Sequence, residues 1–162
     1  MASNGYMTIK GSKQGSFKGN SLHPKRIDWI EFDDIVVGEA IDPATNQMTG
    51  RRAHNPIKIV KQIDSATPQL FQACQTSEQL VEVIVELVAV TSGGGEQINC
   101  RYRLRDAAIL DIRQHLPPPG QHGDGHKRPL QDIYLGCEAV DCQVLVPVDN
   151  NQSGLATGKR QH

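Results

Sequence analysis

The 162-residue chain contains no run of 18 apolar residues, so no membrane-crossing helix is readable in it. Its beginning, MASNGYMTIKGSK, lacks the apolar stretch of a secretory leader, and no signal peptide is expected. No sign of charge is in excess: 17 Lys and Arg stand against 18 Asp and Glu. That balance argues against a dedicated nucleic-acid or membrane binder. Aromatic residues are scarce, with three Phe, three Tyr and one Trp, too few to build platforms for stacked bases. There is no GxSxG, no HExxH and no pair of carboxylates that can be placed in one pocket. SGGG (Ser92–Gly95) has neither the Lys-Ser/Thr nor the following helix that a phosphate loop needs, so it is expected to be a turn. No catalytic residue, cofactor or enzymatic activity is expected.

The four cysteines, Cys74, Cys100, Cys137 and Cys142, include no CxxC pair. Without a leader peptide the expected compartment is reducing, and the four are expected to be thiols that pack as small hydrophobes. Cys137 and Cys142, five apart, fall on opposite faces of a regular strand. They are expected to be two buried thiols rather than a metal pair. His122 and His126 have helical spacing, but Gly123, Gly125 and the nearby prolines deny the helix. Solvated loop histidines and no metal site are expected there.

What is present reads as strand. INCRYRL (Ile98–Leu104) alternates, with Ile98, Cys100, Tyr102 and Leu104 on one face and Asn99, Arg101 and Arg103 on the other. LVEVIVELVAV (Leu80–Val90) carries Glu82 and Glu86 at helical spacing, but its valines favour a strand. TSGGGEQ between them predicts a hairpin. IKIVKQI (Ile57–Ile63) alternates imperfectly. DIYLGCEAVDCQVLV (Asp132–Val146) slips phase near Ala139 and Val140, which predicts a bulge, and IDWIEF (Ile27–Phe32) slips at Trp29 and Ile30. Short strands with Gly/Pro punctuation predict an antiparallel sandwich or barrel.

DSATPQLFQACQ (Asp64–Gln75) differs. Thr67 is suited to cap a helix and Pro68 to its first position, with Leu70, Phe71, Ala73 and Cys74 as an apolar stripe. The pattern predicts one short helix over about residues 67–75, dependent on packing. QHLPPPGQHGDGHKRP (Gln114–Pro129) predicts a loop, because three successive prolines exclude helix and central strand. The expected organisation is one domain over residues 1–148 and a polar, mobile tail over 149–162.

Charge is segregated locally. Met1–Arg26 holds five basic and no acidic residues; Ile27–Asp42 holds six acidic and no basic ones. Such blocks suit either solvated loops or a head-to-tail contact between copies. A short pattern also occurs twice, as TGRRAH (Thr49–His54) and as TGKRQH (Thr157–His162).

Several stretches, in order, resemble the hemolysin-coregulated protein (Hcp) family, the tube proteins of bacterial type VI secretion. They are KGSKQGSFKG (Lys10–Gly19), DWIEFDDIVVG (Asp28–Gly38), DPATNQMTGRRAHNPIKIVKQID (Asp42–Asp64), DSATPQLFQAC (Asp64–Cys74), YRLRDAAILDI (Tyr102–Ile112) and LQDIYLGCEAV (Leu130–Val140). The likeness runs from about Met7 to Val146. The chain departs from the family in DCQVLVPV, where an aromatic-rich strand end is usual, in the Pro-, Gly- and His-rich loop, and in its tail.

The resemblance implies a mainly β fold, an antiparallel β-barrel of two sheets with one flanking helix. It implies a homohexameric ring, and rings stacked into a tube inside a contractile sheath, topped by a spike protein and carrying effector proteins in its channel. It implies assembly in the cytoplasm and then release through the secretion machine. A tail-tube protein of a phage or phage-like contractile particle is the alternative. On this reading Met48, Thr49, Gly50, Arg51, Arg52 and His54 form a ring-stacking loop. Asp28, Glu31, Asp33 and Asp34 are a candidate acidic partner surface for it, and Thr67 with Pro68 begins the helix.

Overall fold

The computed structural model describes residues 3–38, 56–116, 129–147, 155–156 and 159–160. β1 (Ser3–Gly11) lies against β6 (Leu80–Val90), and β6 returns through a tight turn into the 20-residue β7 (Glu96–His115). The turn is the one expected at TSGGGEQ. The amide of Thr91 donates to the Gly95 carbonyl at 2.7 Å, and Gly94 takes φ +83°, open to glycine at little cost. β6 is a strand: Val83 and Val85 point inward while Glu82 and Ile84 point out. A register shift lets Val88 pair Ile98 beside Leu87 and Cys100. Asn99 is thus the extra residue, and Ile98 leaves the row it was expected to share with Cys100.

β7 takes part in two sheets. Its first part pairs β6 on one side and β9 (Ala139–Val144) on the other; its last part pairs β8 (Leu130–Gly136). β8 continues that second sheet to β5 (Ile57–Gln62) and then β4 (Asp34–Val36). The phase slip expected as a bulge near Ala139 is instead a corner. The ribbon leaves the second sheet at Gly136 and resumes at Ala139, with the Glu138 amide on the Arg105 carbonyl. Across from it, Asp106 takes φ +50°. Both partners therefore bend together where one sheet becomes the other.

On the opposite side β3 (Ile30–Phe32) pairs β1 and passes through Asp33 into β4, so the chain bridges the sheets there too. IDWIEF yields a strand only from Ile30 onward, because Asp28 sits in a turn with φ +64°. β2 (Gly15–Ser16) completes a small hairpin on β1. The fold is mainly β and antiparallel with one short helix, as expected. Among the described residues, however, the hydrogen-bond ladder does not close into a full ring.

The core fills the space between the sheets. Met7, Ile9, Val83, Val85 and Leu104 come from one, and Ile57, Ile59, Ile109, Ile133 and Leu135 from the other. Each such side chain contributes about 1.5–3 kcal/mol by leaving water. Gly5 is required by this packing, since a Cβ there would overlap the Phe32 ring.

The helix α1 (Thr67–Gln75) spans the expected residues but starts differently. Thr67 was expected as N-cap and Pro68 as the first helical residue. Instead Ala66 is the N-cap without any side-chain cap bond, Thr67 is the first helical residue and Pro68 follows it. The Thr67 hydroxyl reaches backward: it accepts the Asp64 amide at 3.0 Å and donates to Gln131 Oε1 at 3.2 Å. Asp64 Oδ1 accepts the Ala66 amide at 3.0 Å, satisfying the chain just ahead of the helix. Thr67, Leu70 and Ala73 form the buried row, with Phe71 and Cys74 at its margin.

Candidate functional site

The acidic stretch lies along one edge of the molecule. Glu31 points outward between buried Ile30 and Phe32, Asp33 joins β3 to β4, Asp34 opens β4, and Asp28 occupies the turn before β3. All four are exposed, and among the described residues none forms an ion pair. Asp34 Oδ1 accepts the Ile35 amide at 2.9 Å.

The basic stretch divides. Lys10, Lys13, Lys18 and Lys25 are exposed, whereas Arg26 is only 5% exposed. Arg26 Nε donates to Glu86 Oε1 at 3.2 Å, its Nη1 stands 3.6 Å from Glu96, and its guanidinium lies over Tyr6 and Trp29. Glu86 is shared with Arg101 at 2.9 Å, and His23 Nε2 meets Glu96 at 2.6 Å. Burial, and then the carboxylates of Glu31 and Glu96, push the Tyr6 phenol above its usual value. Arg26 is therefore a structural cation, spent within its own chain. Beside it lies an open hollow of about 470 Å³, lined by Lys25, Arg26, Thr91, Glu96, Gln97, Ile98 and Leu145. Cations and a carboxylate share its wall, so it favours no single sign of ligand.

β7 shows a row of which the sequence marked only Arg101 and Arg103, as part of a polar face. Arg101, Arg103 and Arg105 project from alternate positions of one strand; Arg105 bonds Asp141 at 2.7 Å and Arg103 is exposed. The loop residues Met48, Thr49, Gly50, Arg51, Arg52 and His54 lie outside the described residues, as do His122 and His126. The second copy of the repeated pattern is partly described: β12 (Lys159–Arg160) pairs antiparallel with Gln143 and Cys142 of β9. β10 (Val146–Pro147) likewise pairs β11 (Leu155–Ala156). Among the described residues no three His, Cys, Asp or Glu gather as metal ligands. The corner separates Cys137 from Cys142, and Cys142 instead meets Cys100, Sγ to Sγ 3.8 Å.

The family described as "Type VI secretion system effector, Hcp" matches residues 6–144. This chain belongs to the Hcp family. It is 31% identical over 146 residues to the "Major exported protein" of Pseudomonas aeruginosa, covering 83% of this chain and 85% of that one. Its fold is similar to that of a crystallised Hcp protein, with a TM-score of 0.74 at 20% identity and 98% of both chains covered. The secreted protein Hcp3 from Pseudomonas aeruginosa gives a TM-score of 0.72 at 21% identity, with 98% of this chain and 97% of that one covered. An Hcp sheet architecture thus frames the acidic edge, the exposed lysines and the arginine row.

Proposed function

We propose that the chain is the structural subunit of a type VI secretion inner tube, a protein that assembles and is expelled rather than one that catalyses. The observation that carries this reading is the Hcp-family match from residue 6 to residue 144, which takes in nearly every element of the fold. Six copies close into a ring, rings stack into a tube, and the tube leaves the cytoplasm with effector proteins when a contractile sheath drives it behind a spike.

Head-to-tail closure needs two unlike faces on each subunit. The exposed acidic edge at Asp28, Glu31, Asp33 and Asp34 supplies one, and Lys10, Lys13, Lys18 and Lys25 with Arg103 supply cations for another. Between rings, the segment Met48–His54 reaches the next subunit with Arg51, Arg52 and His54, and the acidic edge is its candidate partner. On this reading residues 1–148 make the tube wall and residues 149–162 are an appendage.

Native mass spectrometry and negative-stain imaging of the full chain test this. Six-membered rings with interfaces above about 1,000 Å² are expected. Monomer alone at micromolar concentration, even with preformed tube ends added, would overturn the ring. Deleting Gln47–His54 is expected to leave rings but weaken stacking, and added salt to act in the same direction because exposed pairs are screened.

A further inference from the structure

Cys100 on β7 and Cys142 on β9 are diagonal neighbours across one strand pair, since Cys142 pairs Tyr102 and Cys100 pairs Val144. Their sulfurs are 3.8 Å apart and both residues are only partly buried. We propose that Cys100 and Cys142 are a reversible disulfide site, open in a reducing compartment and closed in an oxidising one. Formation of the bond rests on this geometry; its use during export rests on the function proposed above.

The sulfurs must approach by about 1.8 Å to reach disulfide length. Each cysteine has a single side-chain torsion, so rotation of both covers most of that distance. Diagonal positions in an antiparallel pair have Cα atoms about 7–8 Å apart, at or beyond the upper end of the disulfide range. Right-handed twist brings one diagonal closer than the other, and the sulfur contact marks this one as the shorter. A bond at that limit is strained, and strained or exposed disulfides are the readily reduced ones.

The oxidant is a small-molecule disulfide. A thiolate of one cysteine attacks it, its S–S bond breaks, and one small thiol departs, leaving a mixed disulfide. The thiolate of the second cysteine attacks the protein-bound sulfur, forming the Cys100–Cys142 bond and expelling the second small thiol. Two protein thiols lose two electrons and two protons; the small disulfide gains both. Tyr102 stands two residues from Cys100 on β7 and pairs Cys142 of β9. Burial, then the two cysteines, push its phenol well above the usual value.

The closed bond would staple β9 to β7 across 42 residues of chain. The test is incubation of the full chain in graded mixtures of reduced and oxidised glutathione, read by thiol titration in denaturant, intact mass and peptide mapping. At an oxidising poise, two of the four thiols should disappear, the mass should fall by about 2 Da, and the map should join Cys100 to Cys142. The melting temperature should rise by on the order of 5–10 °C and return on reduction.

Cys100→Ser and Cys142→Ser should each abolish these changes, and Cys74→Ser and Cys137→Ser should not. Melts under reductant verify that each variant folds. Four titratable thiols at oxidising poise, or a different pair in the map, would overturn the site. A bond that forms in vitro in a chain that never reaches the medium refutes export and leaves the site standing. Chain recovered from an oxidising medium with all four thiols intact refutes the use at export.

Discussion

Lys61 and Arg26 are both buried cations of a β protein, but they are held in different ways. Lys61 belongs to the inward row of β5 with Ile57 and Ile59 and is 0% exposed. Its three donor positions meet three oxygens: the Gln62 carbonyl at 2.8 Å, Asp64 Oδ1 at 2.8 Å and Gln131 Oε1 at 3.2 Å. Burial lowers its pKa, opposed by Asp64. Arg26 lies on the outer side of the other sheet, between two carboxylates and two aromatic rings, and its Nη1 has no hydrogen bond among the described residues. A guanidinium cannot shed its proton, so it needs counter-charge from more than one direction. An ammonium can be satisfied by three acceptors and one charge. The first arrangement is compact and depends on every member; the second is spread out and can lose one.

Removing a single carboxylate from each cluster should separate them most clearly. Asp64→Ala removes the one carboxylate that Lys61 bonds among the described residues and frees the Ala66 amide, so urea unfolding should show a loss of about 3–5 kcal/mol. Glu86→Gln should cost less, about 1–3 kcal/mol, because Glu96 still faces Arg26 and Arg101 can turn to water. Equal losses would mean that the two clusters do not differ in redundancy.

The pH dependence of unfolding sharpens the same contrast. Because the folded pKa of Lys61 is lowered, the unfolded chain binds more protons between that value and 10.5. Stability from this group therefore rises with pH across that window, by at most about 1.4 kcal/mol per unit. Tyr6 and Tyr102, both raised above 10.0, act oppositely: their contribution is complete below 10.0 and is lost as pH climbs through their folded values. Lys61→Met should remove the rise and keep the fall. A rise that survives the substitution would assign it to another group.

The smallest effect concerns Thr67. Thr67→Val keeps the shape but removes the hydroxyl that links Asp64 to Gln131, and should cost about 1 kcal/mol. Thr67→Ser should stay within about 0.5 kcal/mol of the parent. A silent Thr67→Val would show that the Lys61 cluster does not need this bridge.

Local patterns carried most of the fold. The valines placed β6, alternation placed the Ile98–Leu104 part of β7, the glycines placed their turn, and TPQLFQACQ placed the helix. The corner at Cys137–Glu138 was visible as a phase slip. Its nature depended on which part of β7 each half pairs, and that is a long-range fact. The imperfect alternation of IKIVKQI was itself the mark of Lys61, a charge on the apolar phase of a strand. Arg26 looked like one more member of a basic block, because its carboxylates are 60 and 70 positions away in sequence. Glu31 could be placed outward from its apolar neighbours. The pairing of Cys142 with Cys100, rather than with nearby Cys137, needed the register of β7 on β9.

β7 runs unbroken from one sheet into the other, and in mechanical terms it is a tie beam. Two sheets joined only by loops can peel apart one rung at a time. Here the two sheets share a covalent chain on one side and are bridged by Ile30–Val36 on the other. A pull along β7 loads its bonds to β6, β8 and β9 in parallel shear, so the load is divided rather than concentrated at one rung. Such a wall resists force along its strands far better than force across them.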